Sequence, residues 1–355
     1  MKKFNTLISF LFCLSLCAQE PNLLGSLFYL EVNADVETEP VFAGDDAADD
    51  MCVLENLINP EKSLIVSSDK KFGIIVYDLE GNKLYDYELG RINNVDIIPS
   101  KSNQDKYLVA GTNRTYNSID LYFFNSNGEL EKNIVREVVP SLKDVYGITF
   151  YDDKYNTYLF MSDKKGNVEQ WSFNNDESSP EIKFERKLRF SSLVEGIVAD
   201  ESKGKVYIGQ ERRGIWELNA NPNLSDDRKL IFKKNKYFKP DFEGLTIRDD
   251  GDGNGYLIAS VQGSNGYLLI DRKSLKAKTF FRIVSNELID GTTETDGIDV
   301  SSIRTSKFPN GFFIAQDDDN DGLGNNADVL SGCTDTTACN YDASSTVNSE
   351  SAIII

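Results

Sequence analysis

The stretch VEGIVAD (Val194–Asp200) sets an acidic residue immediately before a run of apolar and β-branched residues, and the same arrangement recurs along the chain. The other copies are ADDMCVL (48–54), NNVDI (93–97), VYGITF (145–150), FEGLTI (242–247) and TDGIDV (295–300), with Asp50, Asn94, Tyr146, Glu243 and Asp296 in the place of Glu195. The starts are spaced by about fifty residues. Behind each comes a second apolar run ending in a polar residue: Lys70 after LIVSSD, Arg114 after LVAGTN, Lys164 after LFMSD, Glu211 after VYIGQ, Gln262 after LIASV and Asp317 after FFIAQ. Between the starts, as in SLIVSSDKKFGIIVYDLEGNKLYDYEL (63–89), short β-rich runs alternate with Asp/Gly breaks and no helical period is sustained. A repeat of this length holding about four short strands predicts an all-β, six-bladed β-propeller.

The innermost strand of each blade lines the central channel, so residues at one end of the inner strands face one mouth. The segment Gly25–Val41 precedes the first repeat and contains the strand-like SLFYLEV (26–32), which is expected to close the ring by completing the last blade. The sixth repeat needs it, because after Gln316 the chain enters DDDNDGLGNNADVL (317–330). The reading therefore divides the chain into a signal peptide (1–18), a propeller (19–330) and a polar, cysteine-containing tail (331–355) outside the core.

A formal charge of -19 argues against nucleic acid as a partner, since phosphate-backbone binding needs clustered Lys and Arg. Histidine is absent, which excludes Ser-His-Asp hydrolysis, phosphohistidine chemistry and His-ligated zinc, and leaves carboxylates with a hard cation. Lys2 and Lys3 followed by the apolar run Phe4–Ala18 form a secretory signal too short to span a membrane. Export to the medium, periplasm or outer surface of a bacterium follows; a lipid anchor at Cys17 is the alternative. Cys333 and Cys339 are expected to pair in that oxidising compartment, and Cys52 to be a buried small hydrophobe.

Charge is segregated around the ring. Lys70, Arg114 and Lys164, with Tyr146, come from the first three repeats, whereas Glu195, Glu211, Asp241, Glu243, Asp290 and Asp296 come from the last three. Asp49 and Asp50 join the acidic arc once the ring closes. Strand ends of an acidic protein can carry such charge as turn chemistry alone, but that would not sort lysine from carboxylate by blade. Crowded carboxylates need counter-charge, and calcium with flexible oxygen coordination suits them. Calcium could polarise a phosphorus centre and activate a water, while Lys and Arg opposite hold other phosphates. The arrangement describes a metal-dependent phosphatase for a compact polyphosphate. Asp317, Asp319, Asp321, Gly322 and Asp328 also match most of a calcium-loop pattern, whereas Asp250, Asp252 and Asn254 read as a hairpin turn.

These residues lie in words that resemble the β-propeller phytases, calcium-dependent alkaline phytate hydrolases: ETEPV, GDDAADD, SSDKKFGIIVYDLEG, GRINNVDI, the TNR around Arg114, DVYGITFY, SDKKGNVEQW, VEGIVADE, PDFEGLTI, GYLIASVQG, DGTTETDGIDV and FPNGFFIAQD. The resemblance runs in order over roughly residues 35 to 317 and implies a six-bladed propeller hydrolysing myo-inositol hexakisphosphate, taken as its calcium complex, with several bound calcium ions. By position, Lys70, Arg114, Tyr146 and Lys164 resemble the family's phosphate contacts. Asp49, Glu195, Glu211, Asp241, Glu243 and Asp296 resemble its active-site calcium ligands and water-activating carboxylates. Asp50 with the main-chain oxygens of Met51 and Val95 resembles a stabilising calcium site, and Glu37, Asp290, Gln316 and Asp317 another. The chain departs from the family where Met51, Cys52, Val53 and Leu54 replace a P-A-I-W run, and in its C-terminal GCTDTTACNYDAS. A monomer is expected. A non-catalytic, calcium-stabilised propeller binding phosphorylated or acidic ligands at a cell surface is the second reading. A propeller lactonase is a third, which the cationic arc disfavours because a neutral lactone does not need it.

Overall fold

The computed structural model describes residues 27–41, 47–174 except 102 and 104, 181–317 except 288, and 326–330. The described residues open with β1 (Phe28–Val32) and β2 (Val36–Glu37), and then build one sheet after another. Blade one is β3 (Ala48–Leu54), β4 (Leu64–Asp69), β5 (Gly73–Asp78) and β6 (Lys83–Glu88); blade two is β7 (Ile92–Pro99), β8 (Lys106–Asn113), β9 (Ser118–Asn125) and β10 (Leu130–Val138). Blade three is β11 (Val145–Asp152), β12 (Thr157–Asp163), β13 (Asn167–Phe173) and β14 (Ile182–Arg189); blade four is β15 (Val194–Asp200), β16 (Lys205–Gln210), β17 (Gly214–Asn219) and β18 (Lys229–Lys233). Blade five is β19 (Phe242–Asp249), β20 (Gly255–Val261), β21 (Gly266–Asp271) and β22 (Ala277–Ile283), and the last sheet holds β23 (Ile298–Ser301), β24 (Phe312–Asp317) and β25 (Asn326–Leu330). Six sheets result, and their first strands β3, β7, β11, β15, β19 and β23 contact one another in a closed cycle. The fold is an all-β propeller.

Both faces of these sheets are covered, so the strands carry apolar residues on alternate sides rather than one polar face. Leu257 and Ala259 pack toward blade four with Tyr207 and Ile215, whereas Ile258 between them packs toward the last sheet with Phe313 and Ala315. A separate apolar cluster fills each junction between neighbouring blades. Each fully buried Ile, Leu or Phe contributes about 1.5–3 kcal/mol, so the ring is held by junction cores and not by one central core.

The N-terminal segment departs from expectation. β1, within SLFYLEV, does not complete the last sheet; it lies parallel to β22 as a fifth strand of blade five, with Phe28 opposite Thr279 and Val32 opposite Ile283. Val284 N–H donates to the Val32 carbonyl and Asn33 Nδ2 to the Val284 carbonyl, at 2.8 and 2.7 Å, which ties the chain to that edge. Only then does β2 reach the last sheet, pairing antiparallel with β25 as its outermost strand. Two edges are covered in succession, and the short last repeat receives its fourth strand from the chain's beginning. Residues 1–18, Cys17, the Cys333–Cys339 pair, the tail 331–355, and Asp319, Asp321 and Gly322 of the proposed calcium loop lie outside the described residues. Residues 250–254 form the expected turn between β19 and β20, with the Asn254 N–H donating to the Gly251 carbonyl at 2.8 Å. Cys52 is buried and unpaired, as expected.

Candidate active site

The mouth is built by a repeated β-bulge. At the start of β3, β7, β11, β15 and β19, the pairing with the following strand skips two residues: Asp49–Asp50, Asn93–Asn94, Tyr146–Gly147, Glu195–Gly196 and Glu243–Gly244. Asp296–Gly297 stands at the same point before β23, whose pairing begins at Ile298. A bulge of this kind re-aims a side chain, and here it does so at one end of every inner strand. The register corrects the reading of the first two repeats. Asp49 and Asn93, not Asp50 and Asn94, stand in the position of Tyr146, Glu195, Glu243 and Asp296.

The second residue of each pair lies where adjacent inner strands meet. A Cβ on Gly147 would come within 1.7 Å of the Glu195 carbonyl oxygen, and one on Gly196 within 1.8 Å of that of Glu243. Glycine is therefore required for the backbones to approach and bring successive site residues together. Between blades one and two a side chain fills this space: Asp50 Oδ2 accepts from Val95 N–H and Asn94 Nδ2, both at 3.1 Å. Burial, with Asp49 beside it, pushes the Asp50 carboxyl well above its ordinary range. The structure thus brings Asp50 together with Met51 and Val95, here through the Val95 N–H.

Glu195, Glu243 and Glu211 converge, each offering an oxygen within 4.8 Å of the others; among the described residues no second group of this kind occurs. Burial, then the charge of Asp296, raises Glu195 to about 7. Glu211 is raised to about 8 by burial and then by Glu195 and Asp241, and Glu243 goes well above its ordinary value through burial and then the charges of Glu195 and Glu211. One oxygen each of Glu195 and Glu243 is buried without a hydrogen-bond donor. Asp241 precedes β19, and its carbonyl accepts from Gln262 N–H at 3.1 Å. Asp296 is held by Gln262 Nε2 at 2.7 Å, and its own N–H donates to Gln316 Oε1 at 2.6 Å.

The positive residues do not form a detached arc. Lys70 Nζ lies 2.9 Å from Asp49 and 3.4 Å from Asp296, bridging the two carboxylates. Arg114 Nη1 donates to Asn93 Oδ1 at 3.1 Å, while its Nε is buried without an acceptor. Lys164 Nζ sits 4.5 Å from the centre of the Tyr146 ring, and the Tyr146 phenol is raised far above its usual range by burial and then by the charges of Glu195 and Glu243. Lys70, Arg114, Lys164 and Glu211 are positioned alike, each donating its N–H to the carbonyl just ahead of its blade's inner strand.

Asn93 is the functional residue that the sequence reading missed. Its Nδ2 donates to Asp49 Oδ2 at 2.6 Å and Glu195 Oε1 at 3.1 Å, and its Oδ1 receives Arg114, so one amide joins both kinds of charge. Gln316 and Asp317 end β24, where Asp317 Oδ1 accepts from Thr293 N–H at 2.8 Å. Asp290 belongs to the same β22–β23 connection as Thr293, whereas Glu37 lies on the edge strand β2.

The sequence model of the family described as Phytase matches residues 3–331. The chain is 35% identical over 305 residues to the 3-phytase of Bacillus subtilis (strain 168), an alignment that covers 82% of this chain and 80% of that protein. A structural genomics protein of unknown function from Bacteroides thetaiotaomicron is similar in fold, with a TM-score of 0.53, 10% identity, and coverage of 85% of this chain and 74% of the other. The family match extends over the strand starts that build the carboxylate mouth, and with the identity to the relative it shows that the chain belongs to the phytases, phosphoric monoester hydrolases that act on phytate.

Proposed function

We propose that this mouth hydrolyses myo-inositol hexakisphosphate by a calcium-dependent route, in a monomeric protein exported behind residues 1–18, with the propeller spanning 19–330 and phytate arriving as its calcium complex. One observation carries the reading: Glu195, Glu211 and Glu243 crowd within 4.8 Å, and buried oxygens of Glu195 and Glu243 lack any donor. An all-oxygen donor set of this kind fits a hard cation. Glu195, Glu211, Asp241, Glu243, Asp296 and Asp49 would hold calcium at the mouth; Asp50 with Met51 and Val95, and Glu37, Asp290, Gln316 and Asp317, would hold it at stabilising sites. Bound there, calcium supplies positive charge to phosphoryl oxygens and acidifies water.

The chain's own residues do the rest. Lys70, Arg114 and Lys164 hold phosphate oxygens, a role that the Arg114 Nε, buried without an acceptor, supports. Tyr146 keeps its proton and can donate it in a hydrogen bond. Glu211, raised to about 8, is basic enough to take a proton from an attacking water, while Asp296 and Asp241 hold the charge around it. Among the described residues no helix is long and apolar enough to cross a membrane. Phosphate release from phytate, measured with calcium and again with excess chelator, tests the proposal. Release only with calcium is expected; equal rates in both would overturn the calcium requirement, and no release in either would overturn the substrate.

A further inference from the structure

Lys70, Arg114 and Lys164 are each straddled by a neighbouring side chain. The residue before each cation is a buried Asp or Asn that reaches past it to accept the N–H of the residue after it: Asp69 from Lys71 at 2.8 Å, Asn113 from Thr115 at 3.0 Å and Asp163 from Lys165 at 2.9 Å. Such an Asx turn fixes the backbone on both sides of the cation. Gln210, ahead of Glu211, is turned instead toward Ser191 and Ser192.

Blade two differs from its neighbours in using an amide. A carboxylate accepts with either oxygen, whereas Asn113 serves Thr115 only while its single oxygen faces that N–H. Asp120, which is fully buried, holds it so: Asp120 Oδ2 accepts from Asn113 Nδ2 at 2.8 Å, and the same nitrogen donates to the Leu89 carbonyl at 2.9 Å. Turning the amide over would set oxygen against oxygen. Asp120 is itself fixed by Ser118 Oγ at 2.7 Å, by Tyr122 OH at 3.0 Å and by Arg136, whose Nε and Nη2 donate at 2.9 and 2.7 Å. The Arg136 guanidinium carbon in turn lies 3.6 Å from the centre of the Tyr116 ring. On the other side, Thr115 Oγ1 accepts from Arg91 N–H at 2.9 Å while the Arg91 carbonyl receives the Arg114 N–H at 2.7 Å, so the backbone of Arg114 is bracketed.

We infer that Asp120 is a positioning residue for phytate binding: acting through Asn113, it sets the direction in which Arg114 extends toward a substrate phosphate. The inference rests on the proposed role of Arg114, and Asp120 itself does not touch the substrate. A purely structural carboxylate would join β8, β9 and β10, the strands of Asn113, Asp120 and Arg136, without regard to Arg114. Here the chain of bonds from Asp120 ends on the peptide N–H that follows Arg114, and the Arg114 side chain adds to that bracket one bond, from Nη1 to Asn93 Oδ1 at 3.1 Å. Asp120→Asn keeps the volume but not the acceptor. Either orientation of the new amide sets its NH2 against a donor, because Arg136 donates to both oxygens of Asp120 and Asn113 and Tyr122 donate to one. Asn113 then loses the partner that fixes its amide, and the turn around Arg114 loosens.

The test compares steady-state phytate hydrolysis, with calcium, by wild type, Asp120→Asn, Asn113→Ala, Arg114→Ala and the double variant Asp120→Asn/Arg114→Ala. Asp120→Asn and Asn113→Ala should each raise KM for phytate about three- to tenfold with kcat kept within about twofold, and Asp120→Asn should raise KM no further once Arg114 is gone. A merely structural role gives the opposite split, since a lowered thermal midpoint and a smaller active fraction reduce kcat and leave KM alone. That split, KM unchanged in both single variants, or KM raised by the same factor with and without Arg114 would overturn the inference. Failure of the underlying reading looks different: Arg114→Ala itself would then leave KM unchanged, rejecting the phosphate contact and the positioning role together.

Discussion

Replacing Glu195 by Gln should stabilise the metal-free protein at alkaline pH while removing its activity. The Glu195 carboxyl is raised from 4.5 to about 7, first by burial and then by Asp296. In the unfolded chain the group ionises near its ordinary value, so between the two values the folded state binds the extra proton. Stability then falls as pH rises from about 4.5 through about 7 and is flat above, while below 4.5 both states are protonated and the penalty is absent. The shift corresponds to about 3 kcal/mol for this one residue. Gln keeps the shape and can still accept from Asn93 Nδ2, which lies 3.1 Å from Glu195 Oε1, but it carries no charge to bury. Urea unfolding in excess chelator, followed by tryptophan fluorescence, should show the variant more stable by about 3 kcal/mol at pH 8 and equal to wild type near pH 4. With calcium in hundredfold excess over its dissociation constant, wild type should regain about 2.7 kcal/mol at pH 8 and the variant less. A stability difference independent of pH, or a wild type more stable than the variant at pH 8 in chelator, would refute the reasoning.

Further outcomes follow from the same geometry. Asn93→Ala removes the amide joining Asp49, Glu195 and Arg114, so kcat/KM for phytate should fall about ten- to hundredfold, which steady-state kinetics will read. Gly147→Ala would set a Cβ 1.7 Å from the Glu195 carbonyl oxygen, and denaturation should show a loss of roughly 3 kcal/mol or more. Glu211→Gln and Asp296→Asn should each abolish turnover, whereas Lys70→Ala and Arg114→Ala should raise KM; unchanged kinetics in all of them would reject the site.

The strand starts were legible because a repeated period survives in composition, and a residue at one end of an inner strand must face the mouth. Their register was legible only where glycine marked it. In VYG, VEG, FEG and TDG the glycine identifies the second bulge position, so the residue before it is the site residue. The doublets Asp49–Asp50 and Asn93–Asn94 lack that mark, and the alternation of a strand moves by one residue at a bulge. Aligning the doublets on the glycines would have selected Asp49 and Asn93. The destination of β1 had no comparable signal: blade five and the last sheet each take an N-terminal strand at their outer edge, and an apolar strand such as FYLEV is compatible with either.

The separation of charge by blade takes on a different meaning in three dimensions. Lys70 comes from blade one, yet it lies 2.9 Å from Asp49 and 3.4 Å from Asp296, so its charge is already spent on carboxylates. Arg114 differs, because its partner is the neutral Asn93 and its Nε has no acceptor. A mouth of this kind is partly neutralised from within by Lys70, while Arg114 makes no ion pair with a carboxylate among the described residues and has its Nε without an acceptor. Lys70 has three donor hydrogens and cannot serve a phosphate fully while it serves two carboxylates. On the proposed function, a cation held by Asp49 and Asp296 would free Lys70 for the substrate. Lys70→Ala should consequently weaken phytate use most at saturating calcium, whereas Arg114→Ala should weaken it at every calcium concentration; KM measured across a calcium series separates the two, and parallel behaviour would show that Lys70 does not exchange partners.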